Sequence, residues 1–210
     1  MSRILAALLW LALFAVPWLG PPMRPDPGAW VVDLMTGRWS HTEPWVVVHF
    51  MLMGVWPMLI GLQQRRFWRA TPLPAAPFCA AAFGLGAYGL LPWFMFRGAA
   101  PLPRPMPRLE RFVPWIAAMT GLSALGLVAF GVVAGNPSAW TTAARTDGFI
   151  WTMAADFGVL WGVSTGSARE TDPRRWQWSL MPIFGTVALL VMPSSVPGPA
   201  ADPAVSPTDP

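Results

Sequence analysis

Residues 113–135 carry no charged side chain at all. A helix built from such a run is apolar all round, and it is stable only where its whole circumference meets other apolar matter, in a core or a bilayer. A membrane crossing takes about 20 residues, and this run supplies them. Comparable apolar segments recur at residues 4–19, 45–62, 73–96, 148–163 and 176–192. Only 11% of the 210 residues are charged, against about 25% in soluble domains, so the polar coat of a water-soluble globule is missing. The sequence therefore predicts an all-α polytopic membrane bundle of about six transmembrane helices over residues 1–193. The Pro/Ala/Ser-rich tail at 194–210 reads as disordered.

Local signals place the ends of these segments. No small-x-small cleavage site precedes Gly20-Pro21-Pro22, so the first segment reads as an uncleaved span and not as a signal peptide. Residues 30–35 read as a short interfacial helix. Pro92 should kink the third span, because it cannot donate to the helix ladder, and Asn136-Pro137 should stop the fourth. Many of the tryptophans (Trp18, Trp45, Trp68, Trp93, Trp115, Trp140, Trp176 and Trp178) stand at segment ends, as a belt at the lipid–water boundary requires.

All fourteen basic residues are Arg. They stand beside apolar spans, where they orient a membrane protein, and they are not a nucleic-acid footprint. With six spans, Arg24, Arg38, Arg97, Arg104, Arg108, Arg111, Arg169, Arg174 and Arg175 fall on one side. Arg3, Arg65, Arg66, Arg69 and Arg145 fall on the other. The excess predicts a cytoplasmic 97–111 loop and an external N-terminus.

Chemistry is sparsely encoded. The single cysteine, Cys79, excludes an intrachain disulfide framework and multi-cysteine metal sites. There is no G-x-S-x-G, H-E-x-x-H or P-loop pattern, so the reading leans away from an enzyme. Asp156 is the one charge within the fifth span, and a carboxylate near the bilayer centre costs roughly 2.5–3.5 kcal/mol on insertion scales. It either hydrogen-bonds within the bundle or serves proton relay, ion binding or partner docking. At 100° per residue, Gly158, Gly162 and Gly166 share a face pointing away from Asp156. Glycines at that spacing let helices approach closely, so this face is expected to pack on a neighbour, as is Gly131-x-x-x-Gly135. His49 lies four residues inside the second span, at a depth that allows a bond to Asp156. It either packs or ligates a haem iron or a chlorophyll magnesium. Arg97, Arg104, Arg108 and Arg111 either set topology or contact anionic lipid or a partner's acidic surface.

Three stretches carry a resemblance when taken together. The first is Met35-Thr36-Gly37-Arg38-Trp39 with Glu43-Pro44 and Leu52-Met53-Gly54-Val55-Trp56-Pro57-Met58. The second is Phe83-Gly84-x-Gly86-Ala87-x-Gly89-Leu90-Leu91-Pro92 leading to Arg97. The third is Asp156-Phe157 with the turn from Asp172 to Arg175. This order resembles a family of small, uncharacterised integral membrane proteins of cyanobacteria and plastids. His49 and the last span depart from the family pattern. The resemblance implies a thylakoid or plasma membrane and an accessory role near photosynthetic complexes. The leading expectation is thus an accessory or assembly-type protein docking a larger membrane complex. The alternatives are a chlorophyll- or haem-binding protein using His49 and a small proton-coupled transporter or channel using Asp156.

Overall fold

The computed structural model describes residues 1–67, 74–97 and 107–192, with only the backbone of Arg66, Pro107 and Arg108. Arg104 and the tail at 194–210 fall outside the described residues. Those residues are helical with no strand: α1 (Arg3–Leu19), α2 (Pro27–Met35), α3 (Pro44–Gln63), α4 (Ala75–Leu85), α5 (Ala87–Phe96), α6 (Pro107–Ala134), α7 (Pro137–Thr146), α8 (Gly148–Thr171) and α9 (Phe184–Val191). Two segments, α3 and Leu109–Ala134 of α6, are long and apolar enough to cross a membrane.

Four helices, α1, α3, α6 and α8, run between two polar ends. At one end, Arg3 Nε donates to the Arg97 carbonyl (3.2 Å), and Arg97 pairs with Glu170 (2.5 Å). Arg65 there grips Glu110 through two bonds of 2.9 and 2.7 Å. At the other end, Glu43 accepts from the Asn136 amide (2.7 Å), and Arg24 binds Asp147 (2.7 Å) while lying over the Trp30 ring. Arg3 and Arg65 thus stand at the same end as Arg97 and Glu170, which overturns the two-sided arginine count built on six crossings.

Two segments expected to cross instead turn back. Residues 73–96 were long enough for one kinked span, yet the chain reverses at Gly86 and α5 returns antiparallel along α4. A Cβ on Gly89 would stand 2.8 Å from the backbone of Ala81 and Ala82, so the two arms touch main chain to main chain. Gly86 has φ 57° and ψ −135°, a conformation open essentially to glycine alone. The segment 176–192 is likewise not one helix. It holds a 3-10 turn at Trp176–Leu180 and the eight-residue α9, with Ile183 at φ 59° between them. Pro182 stands at this reversal, and Gly185 lets the returning arm close on the Trp178 carbonyl. Both hairpins start from and return to the Arg97 end.

Pro92 lies inside α5, which continues to Phe96. Its missing N–H frees the Tyr88 carbonyl one turn back, and the Trp10 indole of α1 donates to that oxygen (3.1 Å). Pro17 in α1 frees the Leu13 carbonyl in the same way, and the Tyr88 hydroxyl donates to it (2.6 Å). Each helix therefore repairs the proline defect of the other. The apolar core between them includes Trp56, Leu59, Ile60, Leu90, Leu91, Phe94 and Leu160.

One helix was not expected. Residues 137–146 form α7, started by Asn136, whose side chain accepts from the amides of Ser138 and Ala139, with Pro137 at the first helical position. The proline that stops α6 is thus also a helix starter.

Candidate functional site

The α4–α5 hairpin brings a helix N-terminus into the middle of the bundle. An N-terminus exposes amide groups without intrahelical acceptors and carries partial positive charge. Gly86 has no side chain to cap them. Asp156, from the middle of α8, supplies the cap: the Ala87 amide donates to its Oδ1 at 2.9 Å. Any side chain at Gly86 would overlap this carboxylate, so the glycine provides both the backbone turn and the room for the cap.

Asp156 is 2% exposed, and its Oδ2 has no partner among the described residues. A cavity of about 500 Å3 lies beside it, lined by Phe83, Gly84 and Leu85 at the end of α4, by Met153 and Thr152 of α8, and by Gly28 and Val31 of α2, among others. The cavity follows from the topology. The hairpin fills only the half of its channel toward the Arg97 end. The half above its tip, toward the Glu43 end, stays open and is covered by α2. Asp156 and the last residues of α4, whose terminal carbonyls have no intrahelical donors, line one space there, an arrangement that suits a proton or a small cation. Among the described residues no three His, Cys, Asp or Glu side chains converge as a metal-ligand group.

His49 lies elsewhere. The bond to Asp156 that its depth allows is not formed: Asp156 caps α5, and the His49 Nε2 has no partner among the described residues. The α8 face explains the separation. His49 meets Phe157 edge-on (5.2 Å between centroids) and stacks on Trp140 of α7 (5.6 Å), while Asp156 points to the hairpin tip. His49, Trp45, Val48, Leu52, Pro137, Trp140, Ala154 and Phe157 surround a second, apolar pocket of about 430 Å3.

The remaining candidates divide. A Cβ on Gly131 or Gly135 would stand 2.9 or 2.6 Å from the Trp45 ring, so this pair makes a seat for an indole. Gly158 and Gly162 have open space where a Cβ would go, and Gly166 meets only the Met1 side chain at 3.9 Å. The expected close packing of that face is absent at the first two because α8 turns its Met153, Asp156, Leu160, Val163, Ser164 and Ser167 stripe inward. Arg97 is no surface lipid contact. It is buried at 7% exposure, bound to Gln64 and Glu170, and its guanidinium lies over Phe67 and Phe94. Burial draws its pKa down to about 10, which leaves it charged at neutral pH. Arg111 is exposed.

Sequence reasoning missed the carbonyl-bearing tip and the α7 wall of the second pocket. Gly84, Gly86 and Gly89, clustered in the middle of one apolar run, were the available signal for the tip. No protein-family model, curated protein or solved structure matches the chain.

Proposed function

We propose that the chain is an integral membrane protein in which Asp156 accepts a proton at the tip of a re-entrant hairpin, reached from the Glu43 end. The membrane reading is supported by the outward face of α6, where Trp115 (71% exposed), Leu122 (61%) and Val133 (87%) stand free. Water-soluble monomers keep contiguous apolar patches to a few hundred Å2. The proton reading is carried by one observation: a buried carboxylate that spends one oxygen on a helix N-terminus and leaves the other without a partner beside a cavity. Irregular backbone at mid-membrane depth occurs where it is buried in protein or lines a cavity; at this tip Gly86 is buried, and Phe83, Gly84 and Leu85 line the cavity.

The test is proton flux. Purified protein in liposomes carrying an internal pH dye receives a potassium diffusion potential. The native chain is expected to acidify the lumen, and Asp156→Asn to abolish the signal. The amide oxygen of Asn still accepts from the Ala87 amide, so the variant loses the titrating group and keeps the cap. Flux undiminished in Asp156→Asn removes the carboxylate from the path.

A docking role beside a larger membrane complex has a separate support, the open outward face of α8 at Gly158 and Gly162. It requires the chain to migrate with that complex in mild detergent; migration as a free particle from native membranes counts against it.

A further inference from the structure

A third cavity, of about 310 Å3, lies at the Arg97 end of the bundle, and charged and apolar side chains share its walls. Arg65 reaches it from just beyond α3, Glu110 and Val113 from the first turns of α6, Asp172 and Arg175 from just beyond α8, and Leu190 from the end of α9. Its volume lies within the roughly 300–1,000 Å3 of small-molecule sites. Arg65 donates to Glu110 through Nε (2.9 Å) and Nη2 (2.7 Å), and to the Leu62 carbonyl through Nη1 (2.8 Å). Arg175 pairs with Asp172 (2.7 Å). All four charged side chains remain part-exposed. A guanidinium carries more N–H groups than the bonds of Arg65 use, and a carboxylate more acceptor positions than Glu110 has filled. This pair can therefore take a further partner.

The chemistry of that partner follows from the lining. Among the described residues, two guanidiniums and two carboxylates face the cavity and leave it without net charge. A purely anionic guest would satisfy the arginines and oppose the acids. A guest that carries an anion and a hydrogen-bonding cation together satisfies both. Position adds an apolar requirement. The membrane-length apolar segment of α6 begins at Leu109, which puts Glu110 at headgroup depth. Farther in, α9 closes on α6, where Val187 takes the space beside Gly121. Outward, Val191 and Met192 line the cavity and are exposed, and exposed Phe112 and Trp115 stand next to the lining residues of α6.

From this arrangement we infer that the cavity bounded by Arg65, Glu110, Asp172 and Arg175 binds the headgroup of a zwitterionic phospholipid with a primary ammonium, of the phosphatidylethanolamine class. The phosphate takes guanidinium N–H groups, a pairing that suits arginine. The ammonium donates to the carboxylates, and the acyl chains leave over Phe112, Trp115, Val191 and Met192. The inference rests on the membrane reading and is independent of the proton reading.

The probes are dihexanoyl lipids with ethanolamine, choline or glycerol headgroups, titrated calorimetrically into the full chain in mild detergent. Saturable binding at one site is expected, about tenfold tighter for ethanolamine than for the other two. Choline has no N–H for the carboxylates, and the glycerol lipid is a net anion. Glu110→Gln still accepts from Arg65 but removes one negative charge from the lining. It is expected to weaken the ethanolamine lipid about tenfold and to tighten the glycerol lipid, which reverses their order. Should that variant fail to fold, the headgroup order of the native chain still decides the matter. Glycerophosphoethanolamine, the same headgroup without acyl chains, is expected to bind more weakly than the lipid. Absence of saturable binding overturns the inference, as does equal affinity for the three headgroups or an order unchanged in Glu110→Gln. Equal binding of the headgroup alone overturns the lipid as occupant. Binding that appears only after removal of residues 193–210 also overturns it, because the cavity would then belong to this chain's own tail. A chain that stays monodisperse without detergent counts instead against the membrane reading.

Discussion

Gly86→Ala is the most direct probe of the hairpin tip. Two costs are separable. An alanine at φ 57° and ψ −135° sits in a region that costs about 1–3 kcal/mol. Its Cβ also overlaps the Asp156 carboxylate, which must rotate away and abandon the Ala87 amide. Leaving that buried donor unpaired adds about 1–3 kcal/mol. The single variant should therefore lose about 2–6 kcal/mol. In an Asp156→Ala background the cap is already gone, so Gly86→Ala should cost only the backbone part. A coupling of about 1–3 kcal/mol between the two sites is expected. Reversible unfolding of the four proteins in mixed detergent, followed by far-UV circular dichroism, gives the cycle. Equal cost of Gly86→Ala in both backgrounds would refute the claim that the glycine is there to admit the carboxylate.

The proline repair between α1 and α5 makes a rescue prediction. Trp10→Phe should destabilise by about 1 kcal/mol by orphaning the Tyr88 carbonyl. Pro92→Ala should recover most of that, since an alanine at this position brings the missing N–H. Failure of the second change to compensate the first, in the same unfolding assay, would mean the Trp10 bond does not repair the helix. The glycine pairs should behave oppositely. Gly135→Ala presses on the Trp45 ring and should cost about 1–3 kcal/mol, whereas Gly162→Ala, facing open space, should be neutral or gain up to about 1 kcal/mol of helix propensity. Midpoints ranked the other way would contradict the assigned faces.

The long helices were legible because apolar length and end signals agree there. α1, α3, α6 and α8 all overlap their expected segments, though α8 continues to Thr171 past the expected end at Val163. The hairpins were not legible because apolar composition records how much chain is buried and not its direction. Residues 73–96 have the same hydropathy whether they cross once or go in and return. Gly86, named only as one glycine of the stretch from Phe83 to Pro92, is the turn itself. Asp156 was identifiable as a charge needing a reason, but its partner is a backbone amide, and amides leave no mark in a sequence. Arg97 was misread because the sequence on its C-terminal side is basic and proline-rich, while its contacts come from Phe67, Phe94, Gln64 and Glu170. Short amphipathic α7 carried its cap, Asn136-Pro137, in plain view, and the same dipeptide was read only as a stop.

The cap on α5 also sets a timetable. The amide at Ala87 and the carboxylate at Asp156 are 69 positions apart, so a ribosome delivers the hairpin well before the residue that satisfies its tip. During that interval the amides at the start of α5 have no acceptor on their own arm, and a bilayer offers them none. On the membrane reading proposed above, the newborn hairpin would wait in the interface or under a chaperone until α8 arrives, and only then sink to its final depth. Maturation on that reading would be scheduled from the C-terminal half, with insertion of an early segment completed by a late one.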